Sequence, residues 1–215
     1  MKTNKEKILT DQRKHMIEYH LKARGIYDEK VLHALDTVKR EKFIPEGYFE
    51  EAYGDHPLPI GHGQTISQPY IVALMTQLCE LTGDEKVLEI GCGSGYQSAV
   101  LSELSGKVFS IERIKPLAEM AGKKLMELGY ENVTVMHNDG YDGLIEEAPF
   151  DVIMITAAPE KIPQKLIDQL SDGGRLVAPI GDDIQKLVRL RKEWGRIGTE
   201  TITYVRFVPM VKGFK

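Results

Sequence analysis

The residues best suited to chemistry lie in one stretch, Glu89-Ile90-Gly91-Cys92-Gly93-Ser94-Gly95. A short apolar run ends there in three glycines at alternate positions, and the residues from Tyr96 to Leu104 have helical character. A buried strand that runs into a tight turn and then a helix lets a ligand approach the backbone, with no Cβ in the way. The start of the helix adds free amide N–H groups and a positive dipole end. This is the pattern of a nucleotide-type cofactor site. A further acidic residue, Glu112, closes the next strand about 20 residues on, where a carboxylate can accept both hydroxyls of a ribose. A dinucleotide loop requires G-x-G-x-x-G, and position 96 is Tyr; a Walker loop requires Gly-Lys-Ser/Thr, and none follows.

The flanking elements must hold that turn. Strands are predicted at 86–91, 107–112, 133–137, 150–156 and 175–180, with helices at 95–105, 115–128 and 163–170. Gly106, Gly129 and Gly174 fall at the junctions. Repeated βα units imply a parallel sheet covered by helices on both faces. At the tail, Lys186–Lys192 and Thr201–Val208 alternate in hydropathy and predict two antiparallel edge strands, with Trp194-Gly195-Arg196 near their turn.

Upstream, apolar positions at Ile8, Leu9, Met16, Ile17 and Leu21 predict an amphipathic helix over 5–23, stopped by Gly25. A second helix is predicted over Asp28–Thr37 with Asp28 as N-cap. The Pro-, Gly- and aromatic-rich stretch from Arg40 to His62 is read as irregular structure packed on the body, or as a lid formed by its apolar part, 43–59. Residues 61–70 are read as a polar loop leading into a helix from Pro69 to Leu81, with Ser67 placed to cap it. The fold class is therefore α/β: a doubly wound Rossmann-like sheet, mostly parallel with an antiparallel edge, plus N-terminal helices. It forms one domain, with a helical and lid-bearing extension over 1–82 and a cofactor-binding core over 83–215.

Composition narrows the class. With 42% hydrophobic and 28% charged residues in 215, the chain can bury one ordinary core. A formal charge of -4 argues against a nucleic-acid partner. No apolar run approaches the roughly 20 residues needed to cross a bilayer, and Met1–Lys7 lacks a signal peptide's apolar segment. Cys79 and Cys92 make no disulfide framework, and the six scattered His form no metal-ligand cluster, so no metal is assigned. The expectation is a cytoplasmic, monomeric protein with no membrane association.

Glu89-x-Gly91-x-Gly93-x-Gly95 followed by Glu112 resembles the cofactor motif of methyltransferases that use S-adenosyl-L-methionine. The resemblance implies that Glu89 helps hold the cofactor's ammonium group. It also implies that Asp139-Gly140, within His137-Asn138-Asp139-Gly140, lies where the adenine amino group is held. More specifically, Pro59-Ile60-Gly61-His62-Gly63-Gln64-Thr65-Ile66-Ser67-Gln68-Pro69-Tyr70 resembles the signature of the protein-L-isoaspartate O-methyltransferases. So do Lys42-Phe43-Ile44-Pro45, Thr156-Ala157-Ala158-Pro159 and Gly173-Gly174-Arg175-Leu176, and the likeness runs from about residue 13 to the end of the sequence. Some members carry His after this Pro, where this chain has Tyr70-Ile71-Val72.

The family transfers methyl to the α-carboxylate of L-isoaspartyl residues in damaged proteins and peptides. The resemblance implies that role here, with Ser67 as the positioning catalytic residue and Gln64, Thr65, Ile66 and Ser67 along the cofactor. Gly91, Cys92, Gly93, Ser94 and Gly95 wrap it, and main chain around Val208-Pro209-Met210 covers it and pairs with the peptide. The family's carboxylate substrate is ionised at pH 7, with an ordinary pKa of about 4, so no general base is needed. Two other readings remain open at this point: a methyltransferase for a small molecule or RNA, and a cofactor-binding module without activity.

Overall fold

The computed structural model describes residues 4–214. Met1–Thr3 of the predicted extension and Lys215 lie outside the described residues. Helix α1 (Asn4–His15) passes into a π-turn at Met16–Leu21 and a 3₁₀ turn at Lys22–Arg24, and Gly25 stops it with φ 89°. The predicted helix is thus present with a change of pitch. Met16 and Leu21, five residues apart, are both fully buried, and an i→i+5 turn is what brings such a pair onto one face. Helix α2 (Glu29–Thr37) is capped by Asp28, whose side chain accepts from the amides of Lys30 and Val31 at 2.9 and 3.4 Å.

Residues 43–59 are packed on the body, as the first of the two readings has it. Phe43, Ala52, Tyr53 and Leu58 are buried in the main apolar cluster, Phe43 lies against Tyr96, and the Tyr53 hydroxyl donates to Glu41. The stretch read as a polar loop begins in a small antiparallel hairpin, β1 (Leu58–Gly61) and β2 (Gln64–Ile66). His62 and Gly63 at its tip have φ of 54° and 71°, the pattern of a type I′ turn.

Helix α3 (Pro69–Leu78) follows, shorter than predicted. Ser67 does not cap it. Gln68 is the N-cap and makes no side-chain cap bond. The task falls to Asp55, whose carboxylate accepts from the Tyr70 amide at 3.1 Å and the Gln68 side chain at 2.7 Å and pairs with Arg24. Among the described residues the Ser67 hydroxyl has no hydrogen-bond partner.

The remaining chain builds β3 (Lys86–Ile90), α4 (Tyr96–Ser102), β4 (Lys107–Glu112), α5 (Lys115–Glu127), β5 (Val133–His137), β6 (Phe150–Ile155), α6 (Gln164–Asp168), β7 (Leu170–Ile180), β8 (Gln185–Glu193) and β9 (Arg196–Val205). The sheet order is β5-β4-β3-β6-β7-β8-β9, parallel from β5 to β7 and antiparallel from β7 to β9. This is the predicted doubly wound sheet with its antiparallel edge. Apolar clusters line both faces: Val87 belongs to the one shared with the N-terminal helices, and Leu88 and Ile90 to the other. Alternation along β3 therefore places Glu89 with Val87, toward α4.

β7 begins at Leu170 rather than 175, since Gly173-Gly174 sits in an irregular stretch of strand and not at a helix stop. β9 begins at Arg196 and ends at Val205, short of the predicted Val208. Gln185 holds the departing chain by accepting from the Phe207 amide at 2.6 Å and donating to its carbonyl at 3.1 Å.

Asp55→Ala removes the group that holds the start of α3 and is expected to destabilise the fold by about 1–3 kcal/mol. Ser67→Ala, which removes no such bond, should stay within about 0.5 kcal/mol of the parent. Urea unfolding of both variants checks the assignment, and the reverse ranking would return the cap to Ser67.

Candidate active site

The chain turns sharply after β3, and Gly91, Gly93 and Gly95 all have positive φ, of 102°, 54° and 88°. Two of them show why a side chain is excluded. A Cβ on Gly91 would collide with the Thr156 hydroxyl, which donates to the carbonyls of Ile90 at 2.9 Å and Gly91 at 2.6 Å. The end of β6 thus braces the turn at the end of β3. A Cβ on Gly95 would press on Leu125 and Ala121 at 3.2–3.4 Å, so this glycine serves the packing of α4 on α5.

Above the turn lies a cavity of about 340 Å³ at the carboxyl ends of β3, β4 and β6. β3 and β6 are neighbours whose connections leave in opposite directions, the position where open α/β sheets bind ligands. Its walls include Gln64, Thr65, Ile66 and Ser67 from the hairpin, Gly91, Cys92, Gly93 and Ser94 from the turn, Glu112 from β4, and Gly140. None of residues 43–59 lines it. Glu112 is nearly buried and bridges two loops, accepting from the Gly93 and Ile114 amides, both at 2.9 Å. Each of its oxygens retains a lone pair for a ligand hydroxyl.

Three expected site residues stand behind the wall. Gly95 packs helices, as above. Asp139 accepts from the amides of Tyr141 at 2.9 Å and Gly213 at 2.7 Å and does not line the cavity. Glu89 is fully buried beneath the turn, where the hydroxyls of Ser98 and Ser110 donate to its Oε2. Burial pushes the Cys92 thiol up, which removes any thiolate nucleophile. Other lining residues were not assigned from sequence, notably Tyr96, Arg113, Ile114 and Ala157. Their positions just beyond the strand ends are the signal that could have found them.

The family described as protein-L-isoaspartate(D-aspartate) O-methyltransferase matches residues 11–215. The chain belongs to this family. The protein-L-isoaspartate O-methyltransferase of Opitutus terrae is 52% identical over 209 residues, covering 96% of this chain and 90% of its own. Protein-L-isoaspartate O-methyltransferase 1 of Syntrophobacter fumaroxidans is 54% identical over 200 residues, covering 93% and 94%. Among solved structures, one protein-L-isoaspartate O-methyltransferase superposes with a TM-score of 0.84 at 31% identity over 92% of this chain, which spans 65% of that longer one. A Plasmodium falciparum protein-L-isoaspartate O-methyltransferase in complex with S-adenosyl-L-homocysteine superposes with a TM-score of 0.81 at 29% identity, covering 94% of this chain and 99% of its own.

In this member of the isoaspartate methyltransferase family, Glu89 has an electrostatic cost of its own. Burial, opposed by the two serine hydroxyls and reinforced by Glu112, pushes its carboxyl from 4.5 up to about 7, and its Oε1 has no donor among the described residues. Below pH 4.5 both folded and unfolded chains hold the proton, so no penalty arises. As pH rises from 4.5 to about 7 the unfolded chain releases its proton first, and stability falls across that window. Glu89→Gln cannot ionise. Without cofactor it should flatten the fall and gain roughly 1–3 kcal/mol at pH 8. Urea unfolding at pH 5 and pH 8 measures this, and an unchanged pH slope would show that Glu89 does not hold the proton.

Proposed function

We propose that this chain transfers a methyl group from S-adenosyl-L-methionine to the α-carboxylate of L-isoaspartyl residues in damaged proteins and peptides. The observation that carries the reading is a shared cavity: Ser67, whose hydroxyl has no hydrogen-bond partner among the described residues, lines the same walls as the glycine turn and Glu112. The fit to the cofactor is chemical. Gly91 lets the turn pack directly on Thr156, where a Cβ would force it away, and Glu112 has lone pairs left for a ribose diol. S-adenosyl-L-methionine, a cation without phosphate, supplies an electrophilic methyl group on sulfur.

The chain's own residues have little bond chemistry to perform. A substrate carboxylate with a pKa of about 4 arrives ionised, so proton abstraction is unnecessary. What remains is to orient it and exclude water, which strengthens the effect of every well-placed group. Ser67 is assigned as the positioning catalytic residue, because its hydroxyl donates one hydrogen bond without neutralising the nucleophile as a guanidinium would. Gln64, Thr65 and Ile66 continue the same wall along the cofactor. Glu89 belongs beneath it, supporting the turn from α4's side.

The partners proposed are flexible isoaspartyl-containing proteins and peptides. The acidic charge balance disfavours nucleic acid, and a cavity walled by one chain suits a monomer. No helix among the described residues is long and apolar enough to cross a membrane. A cytoplasmic location fits two cysteines that are buried and free.

The test uses labelled S-adenosyl-L-methionine with matched peptides that differ only in an isoaspartyl or aspartyl linkage. Base-labile methyl incorporation is expected into the isoaspartyl peptide alone, and equal labelling of both would sink the reading. Ser67→Ala should lower kcat by about 10²-fold while S-adenosyl-L-homocysteine still binds within about twofold of the parent. A variant with unchanged kcat would remove Ser67 from the catalytic role.

A further inference from the structure

The N-terminal extension buries one positive charge without a counter-charge. Arg40, in a 3₁₀ turn at Arg40–Lys42, has no solvent exposure, yet its Nε, Nη1 and Nη2 form no hydrogen bond among the described residues. The Tyr96 hydroxyl, on a side chain that is 1% exposed, is also without a partner among them. The two lie together, with the Arg40 guanidinium carbon 5.0 Å from the centre of the Tyr96 ring. Phe43 packs against the same ring, with centroids 5.7 Å apart.

The carboxylates of the extension are taken by other groups. Arg13 pairs with Asp36 at 2.9 Å and Arg24 with Asp55 at 2.5 Å. Glu41, next in sequence, accepts from the Tyr53 hydroxyl, which itself receives Arg13 Nη1 at 3.4 Å. No ion pair joins Arg40 to a carboxylate among the described residues. A guanidinium does not shed its proton to escape this position, and an isolated ion in the interior has given up its hydration for nothing in return. Burial accordingly lowers the hold of Arg40 on its proton. The Tyr96 phenol, pushed up to about 12 by its own burial, keeps its proton and is available as a donor. The more distant charges that act on it, Glu41 and Arg13, are of opposite sign.

The unmet groups are therefore the N–H groups of a cation and one O–H. Water accepts from some of them but leaves the charge unbalanced. A small monovalent anion accepts from all of them without directional demand and cancels the charge.

We propose that Arg40 and the Tyr96 hydroxyl form a buried site for a small inorganic anion of the halide class. Neither side chain reaches solvent, so the anion must shed its hydration shell, which favours chloride and bromide over fluoride and sulfate. The site joins two parts of the molecule. Arg40 belongs to the extension, and Tyr96 is the first residue of α4, immediately after Gly95 of the glycine turn. An anion between them fastens the extension to the start of that helix. It does so whether or not the cavity takes S-adenosyl-L-methionine.

Urea unfolding of the full chain in sodium chloride and in sodium gluconate, at matched ionic strength, separates binding from screening. The parent's stability should climb with chloride or bromide relative to gluconate, as binding to the folded state requires. Arg40→Met should lose that dependence. Tyr96→Phe, which removes only the hydroxyl, should weaken the apparent halide affinity by about tenfold. It carries the comparison if Arg40→Met does not fold. Crystals of the parent grown in bromide need no variant: anomalous density is expected between the Arg40 guanidinium and the Tyr96 hydroxyl.

A parent that responds to chloride no more than these variants do would overturn the proposal. So would bromide-grown crystals without anomalous density there, in which water or main-chain carbonyls hold Arg40. Bromide density without the stability response would mark an adventitious ion only and would equally remove the fastening role.

Discussion

β3 and β6 lie side by side in register, yet one chain leaves toward β4 and the other toward β7. Neither strand's outgoing connection crosses the space above their ends, and the cavity occupies it. The gap would be unstable if each strand end were left to find its own turn, because the backbone groups there lose their ladder partners. The Thr156 hydroxyl settles the matter by sharing its one proton between two successive carbonyls at the end of β3, chiefly that of Gly91. Gly91 can approach that closely only because it lacks a side chain. The turn, the placement of Cys92 to Ser94 and the start of α4 all follow from this contact.

The same device recurs around the site with carboxylates in place of the hydroxyl. Asp55 holds the start of α3, Glu112 ties the glycine turn to the segment before α5, and Asp139 ties the loop after β5 to the last residues of the chain. Each accepts from backbone amides that a strand or helix end leaves without partners. The effect on Ser67 is indirect. Because Asp55 satisfies the helix start, the serine hydroxyl carries no hydrogen bond among the described residues, and its removal should be felt in chemistry more than in stability.

Much of this was legible in the sequence, for physical reasons. Strands buried on both faces read as continuous apolar runs, so β3, β4 and β6 were placed within a residue or two, and Glu112 with them. The orientation of Glu89 was legible as well, since alternation puts it on the side of Val87, although its serine partners were not. The hairpin at 58–66 was missed because three or four residues are too few to establish a period. The Gly173-Gly174 pair was read as a helix stop because an irregular strand and a stop use the same residue. Residues 43–59 were correctly read as packed, but aromatic content does not say against which surface. The bond from the Gly213 amide to Asp139 was not legible, because the two residues lie 74 positions apart.

The charges at the proposed site also explain why a serine suits the acceptor end. In methyl transfer between a carboxylate and a sulfonium both charges fade as the bond forms. A cation beside the carboxylate would hold the ground state more firmly than the transition state and slow the step. The arginine on the cavity wall, Arg113, has its Nε committed to a backbone carbonyl at the far end of the chain. A neutral hydroxyl keeps its hydrogen bond as the charge fades, so it can orient the nucleophile while opposing its departure from the ionised state only weakly. On the proposed assignment of Ser67, selection among carboxylates rests on reach: the linkage has to bring the carboxylate to that hydroxyl in line with the methyl group.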